Sequence, residues 1–212
     1  MAFIVIGWLK TNVKKAFCSV LCYINITIFL FKNGLNLIKD MVKYYYKEKQ
    51  MKKKLNLVKA TQANTTKSTL KTISKWMYNW WGIRHNYTLE EMQQYMLHCL
   101  NESKLPQTYI LYNGKTPIGL YQFLHTDLRN RPDIYPWLGR VYVAEKQRGK
   151  GYCRFMLETV KQTAKELGVD EIYLYTHHVG LYEKFGWKFE GLIDTYKPGN
   201  RMHRFYTLNL NG

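Results

Sequence analysis

The sequence predicts a mixed α/β domain over residues 51–212, preceded by a hydrophobic and basic extension over residues 1–50. Three observations predict it. Short runs rich in β-branched and aromatic residues trade places with segments whose apolar positions recur every three to four residues, as strands and helices do. Asn113-Gly114 falls between two of the short runs, a hairpin signal. The stretch Val141-Tyr-Val-Ala-Glu-Lys-Gln-Arg-Gly-Lys-Gly-Tyr152 reads as a strand, a basic glycine turn and the start of a helix.

The elements follow in order. Leu55–Ala60 alternates enough for a first strand. Asn64 to Trp80 is a helical region with a polar start, ending among Trp76, Trp80 and Trp81. Thr88-Leu-Glu-Glu91 is a capping box, and Leu89, Met92, Tyr95, Met96, Cys99 and Leu100 form one apolar helix face behind it. Thr108–Tyr112 and Ile118–His125 are strands joined by the hairpin. Asp127 to Pro136 is a polar loop containing proline, and Trp137–Val143 is the strand before the glycine turn. Tyr152 to Leu167 is a helix that turns Phe155, Met156, Val160 and Ala164 inward and stops at Gly168. Ile172–Thr176, a short helix around Leu181 to Phe185, and Arg204–Leu210 complete the set. No internal repeat is visible.

With 212 residues the chain has room for one domain and an appendage, and 46% hydrophobic residues suffice for a core. The four cysteines, Cys18, Cys22, Cys99 and Cys153, have neither C-x-x-C nor zinc spacing, so a reducing, cytoplasmic setting is expected. The formal charge is +17. Residues 1–50 hold eight lysines against Asp40 and Glu48, leaving +6 there and +11 beyond Gln50. Such a balance attracts anions. It also follows from the general abundance of Lys, Asn, Ile and Tyr. No arginine-rich tract, RNA-binding motif or zinc finger is present, so nucleic acid is not an expected partner.

Within the extension, Ala16–Phe31 is sixteen residues long and interrupted by Ser19, Asn25 and Thr27. As a helix it would span roughly 24 Å, short of the roughly 30 Å hydrocarbon core. Leu35, Ile38, Val42 and Tyr45 then recur at helical spacing among lysines, which suits a membrane surface. Three readings stay open: a marginal membrane anchor, a soluble helical arm packing on the domain or on a second copy, or a stretch upstream of a natural start at Met51-Lys-Lys-Lys. Cytoplasmic placement is the resulting expectation, with membrane association only under the first of these readings.

The chemistry concentrates in the glycine turn. Gly149 and Gly151 alternate with Arg148 and Lys150 where a helix begins. A helix N-terminus exposes unpaired N–H groups and the positive end of the dipole, and glycine lets a ligand reach that backbone. The expected ligand is a phosphate or pyrophosphate. There is no G-x-x-x-x-G-K-[ST] and no G-x-G-x-x-G, so neither a Walker loop nor a dinucleotide fold is indicated.

Gln147-Arg-Gly-Lys-Gly151 resembles the acetyl-CoA pyrophosphate loop of the GNAT N-acetyltransferase superfamily. Gly180-Leu-Tyr-Glu-Lys-Phe-Gly-Trp187, after the strand Ile172–Thr176, resembles that family's aliphatic-Tyr-x-x-x-Gly-aromatic signature. The two motifs stand in order with a helix between them, and the likeness covers roughly Met51 to Leu210. It implies a central, mainly antiparallel sheet splayed at a cofactor cleft, with acetyl-CoA as co-substrate and no metal. The activity implied is direct acetyl transfer to a primary amine of a small molecule or peptide. A catalytically weak CoA-binding domain tethered through residues 1–50 is the alternative, and pairing as a homodimer is common among relatives.

The resemblance also implies roles. Arg148, Gly149, Lys150, Gly151 and Tyr152 would anchor the cofactor, and its pantetheine arm would pair like a strand with Val141, Tyr142 and Val143. Tyr182 matches the family's general acid, since a phenol with a pKa of about 10 is protonated at neutral pH. The general base stays open among Glu145, His125, Asp127 and a water chain. His177 and His178 stand where many members carry an asparagine near CoA, and a His-His metal pair lacks further ligands at suitable spacing. The acceptor face would come from Thr126 to Trp137, Trp76 to Trp81 and Tyr95. Arg131-Pro-Asp-Ile-Tyr-Pro-Trp137 resembles a subset of bacterial members. Asp127 and Asp133 are placed either to hold a cationic amine or to pair with Arg129, Arg131 and Arg140.

Overall fold

The computed structural model describes residues 54–195 and 202–211, together with Lys39–Lys43, Tyr45, Tyr46 and Lys49. The chain divides into two units, Met1–Gln50 and Met51–Gly212. In the first, Lys39–Lys43, Tyr45, Tyr46 and Lys49 are helical, in keeping with the spacing read there. The apolar stretch Ala16–Phe31 lies outside the described residues. Among the described residues no helix is long and apolar enough to cross a membrane.

The second unit is built on one sheet of seven strands in the order β1-β2-β3-β4-β5-β7-β6. They are β1 (Leu55–Ala60), β2 (Gln107–Asn113), β3 (Thr116–Leu124), β4 (Trp137–Val143), β5 (Glu171–Thr176), β6 (Lys188–Asp194) and β7 (Met202–Asn209). Every neighbouring pair is antiparallel except β4 with β5. Three helices cover the sheet: α1 (Lys67–Met77), α2 (Leu89–His98) and α3 (Tyr152–Lys165).

Side-chain alternation along the strands splits the core into two layers. Tyr109, Leu111, Tyr121 and Phe123 pack with Met156, Val160 and Ala164 of α3. Ile110 and Leu120, the alternate residues, pack with Ile73 and Met77 of α1 and Met92 and Met96 of α2. The two sets give a helix–sheet–helix sandwich, the layered solution for a sheet apolar on both faces.

The helix starts are set by their caps. Thr66 accepts from Thr69 N and opens α1, two residues later than the polar run at Asn64 suggested. Thr88 and Glu91 form the complete capping box of α2. The predicted helix from Asn64 to Trp80 is broken. α1 ends at Met77, a wider π-helical turn covers Tyr78–Gly82, and a tight turn at Ile83–His85 ends on Asn86 with φ 58°. This irregular segment sets Trp80 on Tyr142 beside Trp76 of α1, at ring distances of 5.5 and 5.7 Å. One strand, β6, had no counterpart in the sequence reading. It is an exposed edge with a bulge between Phe189 and Gly191, so the alternation that signals a strand is interrupted.

Tyr121 and Tyr182 are buried, and burial pushes their phenols above the ordinary tyrosine range. The folded state therefore holds these protons more tightly than the unfolded chain. Stability is fully present below about pH 10, the unfolded value, and falls above it by about 1.4 kcal/mol per pH unit for each such tyrosine. Thermal melts should be flat in this respect from pH 7 to 9 and drop steeply beyond 10. A Tyr121→Phe variant should show a shallower drop, and an unchanged slope would exclude this source.

Candidate functional site

After β4 the chain makes a tight turn at Glu145–Gln147, passes Arg148–Gly151 and enters α3. Gly149 and Gly151 take φ of 75° and 83°, the left-handed region that costs other L-residues about 1–2 kcal/mol. A Cβ built on Gly149 would meet nothing within 4 Å, so glycine is needed there for conformation and the space above stays open. The first helical bond of α3 runs from Phe155 N to Gly151 O. The N–H groups of Tyr152, Cys153 and Arg154 therefore lack an intrahelical acceptor. No side chain caps this end and no acidic residue lies in its first turn. The cations are held alongside. Arg148 Nε donates to Val143 O at 3.1 Å and its guanidinium lies 5.5 Å from the Tyr142 ring centre, while Lys150 Nζ donates to Gln147 Oε1 at 2.9 Å. The open N–H groups, the dipole and two cations suit a pyrophosphate.

Beside this turn the sheet is split. β4 and β5 run parallel and pair at one point, Trp137 with Tyr173. Further along, Val141–Val143 keep β3 on one side only. Ala144 N donates to Ile118 O across to β3. Main-chain groups alternate in direction along a strand, so Tyr142 also faces β3, and Val141 and Val143 face the cleft. Of the three residues expected to pair with an extended ligand, only Val141 and Val143 offer main-chain groups on the open edge. Tyr142 is buried and contributes its ring, beneath Trp76, Trp80 and Arg148.

Tyr182 opens the short turn Tyr182–Phe185 that follows β5. Its ring packs 6.0 Å from both Trp187 and Tyr206. The neighbouring Glu183 accepts from Tyr206 Oη at 2.8 Å and from Arg204 Nη2 at 3.3 Å, which ties the turn to β7. Burial is the main cause of the raised Tyr182 pKa, and Cys153 in the first turn of α3 adds to it. The phenol is thus held protonated beside the N-terminus of α3.

The other predicted site residues are dispersed. Glu145 is exposed on the turn before Arg148. His125 is exposed and stacks on Tyr135 at 5.1 Å, with Nδ1 3.2 Å from Thr126 Oγ1. Asp133 is held by a two-pronged contact from Arg131 and is thereby paired, its carboxyl held below the usual carboxylate range mainly by that hydrogen bonding. His177 and His178 are exposed, and the His177 ring lies 3.8 Å from that of His203. Among the described residues no group of three or more His, Cys, Asp or Glu is arranged to hold a metal ion.

Asp127 is different. Its carboxylate sits against Gly139, where an added Cβ would come within 3.4 Å of Oδ2 and 2.6 Å of Leu124. It faces Arg140, with 3.9 Å between Oδ1 and Nη1. Arg140 lies at the bulge where β3 and β4 lose register and has φ 53°, an uncommon value for a side chain of this size. Its guanidinium sits 5.4 Å from Trp81 and 5.3 Å from Tyr95, counted to the ring centres. Nε and Nη1 are buried and have no hydrogen-bond partner. A buried donor left unmade costs about 1–3 kcal/mol. The fold thus holds Arg140 in an unfavourable state on two counts. Sequence reasoning treated Arg140 as one of several arginines near the loop. Gly139 inside a strand pattern was the available signal, since glycine there marks a bulge.

A family model described as "Acetyltransferase (GNAT) family" matches residues 70–187, more than half of the chain. No curated protein matches the sequence. Among solved structures, spermidine N-acetyltransferase from Vibrio cholerae in complex with CoA and spermine is 17% identical, with a TM-score of 0.56 over 75% of this chain and 97% of that one. A dodecameric structure of spermidine N-acetyltransferase from the same organism is 18% identical, with a TM-score of 0.55 over 75% and 95%. An aminoglycoside 6'-N-acetyltransferase complexed with coenzyme A is 11% identical, with a TM-score of 0.57 over 73% and 97%. At these identities the likeness to the solved structures is one of fold.

Proposed function

The chain belongs to the GNAT acetyltransferase family, and from that premise we propose that it moves the acetyl group of acetyl-CoA directly to a primary amine of a small molecule or peptide. The observation that carries this reading is the glycine turn at the N-terminus of α3, set against the open edge of Val141 and Val143. The diphosphate of CoA fits the N–H groups around Gly149 to Tyr152. The amide-bearing arm fits the open edge as an added strand, the mode in which an extended ligand pairs with a free sheet edge. That arm would displace or share the Arg148 contact with Val143 O, freeing the guanidinium for the phosphates.

The chemistry then has three parts. The acceptor ammonium gives a proton to a base or to water. The amine nitrogen attacks the thioester carbonyl carbon, and a C–N bond forms as the C–S bond breaks. The leaving sulfur takes a proton, for which we assign the protonated Tyr182 as donor, and the phenolate regains one through water from the nitrogen as it becomes the amide. Asp127, half-buried and facing Arg140, is our choice over the exposed Glu145 and His125 to receive the ammonium.

The test is release of CoA thiol by the full chain with acetyl-CoA over a broad panel of amines. Turnover with a subset of amines is the expected result. Acetyl-CoA binding without turnover on any amine would sink the transfer reading and leave a CoA-binding domain.

A further inference from the structure

Arg140 has no task in the transfer just described, yet the fold holds it with care. A bulge and a left-handed backbone set its side chain among Trp81, Tyr95 and Asp127. Trp81 and Tyr95 hold their rings within 5.4 Å of its guanidinium. Nε and Nη1 reach no acceptor, and the nearest carboxylate, Asp127, stands off at 3.9 Å, beyond hydrogen-bond range. An arginine whose purpose was to neutralise Asp127 would be expected at 2.7–2.9 Å, where charge-assisted pairs settle.

We infer that the acceptor carries an acidic group close to its reacting amine, and that Arg140 takes the acid while Asp127 faces the ammonium. The class is an amino acid with an apolar side chain. Opposite charges a few ångströms apart on the protein match the opposite charges one or two carbons apart on such a zwitterion. Trp81 and Tyr95, with Tyr175 near enough to feel Asp127 and Arg140, supply the apolar flank. A polyamine or an aminoglycoside would instead bring only cations against a half-buried arginine, an arrangement like-charge repulsion disfavours. This inference rests on the acetyl-transfer reading for the reaction and on the cleft geometry for binding.

The two are separated by measuring binding apart from turnover. The probes are N-acetyl derivatives of phenylalanine, tryptophan, leucine and methionine, each as the free acid and as the primary amide, titrated into the full chain with CoA present. At least one acid should bind roughly 10- to 100-fold tighter than its amide, the worth of a hydrogen bond to a charged group. Arg140→Gln should bring that ratio to near one, and Arg140→Lys should restore part of it. Equal binding of every acid and amide, no binding by any acid, or a preference kept in Arg140→Gln would overturn the inference. If Arg140→Gln does not fold, the acid-to-amide ratio of the wild type still decides. Asp127→Asn adds a second check. It should lower kcat/KM for the free amino acid and keep the acid preference of the N-acetyl probes, which have no ammonium. Loss of both would make the pair merely structural. If the acids bind selectively but no free amino acid releases CoA thiol, the site stands and the transfer reading fails.

Discussion

Replacing Gly149 and Gly151 together by glutamate should abolish micromolar binding of acetyl-CoA and leave a folded protein. Two effects act in the same direction. Each position has φ near +80°, so a side chain strains the turn and rotates its N–H groups away from a common focus. Each glutamate also brings a negative charge to the point where the α3 dipole and the flanking cations would hold a phosphate. Together they should weaken binding by at least about 100-fold, or 2.7 kcal/mol. At Gly149 the space above is open, so a Cβ there clashes with nothing. Calorimetric titration of wild type and variant with acetyl-CoA and with CoA measures it, with circular dichroism as the check on folding. Gly149→Ala isolates the backbone part. It should cost roughly tenfold, because it strains the turn without adding charge. Unchanged binding in the double variant would place the cofactor elsewhere.

The turn was legible because glycine, arginine and lysine crowd into five residues, and no ordinary strand-to-helix connection needs them. The strands on either side were legible for a similar reason. Trp137–Val143 is bounded as read, and the hairpin through Asn113 and Gly114 sets the register of β2 on β3. What escaped the sequence are features made by irregular backbone. β6 hid because Glu190 is an extra residue at a bulge, bonded to Lys188 and Thr207 instead of continuing the alternation. The break after Met77 hid because Tyr78–Gly82 stays helical while its hydrogen bonds widen. Arg140 hid because its importance lies in bonds it does not make. The candidate base residues show the same limit from the other side. His125, Asp127 and Glu145 look alike on paper, but only Asp127 is half-buried and faces an arginine, whereas His125 and Glu145 are exposed.

Tyr182→Phe should lower kcat by about 100- to 10,000-fold and leave the KM for acetyl-CoA within about threefold, the pattern of a proton donor used in the chemical step. The ring is kept, so its contacts with Trp187 and Tyr206 are kept, and the melting temperature should hardly move at neutral pH. That constancy separates the proton-donor role from a packing role, in which removing one oxygen would change stability and not turnover. The pH profile gives the second, independent mark. Burial holds the phenol above its usual range near pH 10, so the donor stays protonated across the whole working range. Wild-type kcat should therefore show no alkaline loss below about pH 10, and activity should fall only where the phenol titrates or the fold begins to give way. In the variant any residual rate, now dependent on water as donor, should lack that limb. An alkaline limb near pH 8 in the wild type, unchanged in Tyr182→Phe, would assign the titrating acid to another group. Cys153 is not that group: it shares the mouth of α3 with Tyr182, but burial raises its thiol above the usual thiol range, away from pH 8. Cys153→Ala should leave the wild-type limb in place, because the phenol and not the thiol sets it.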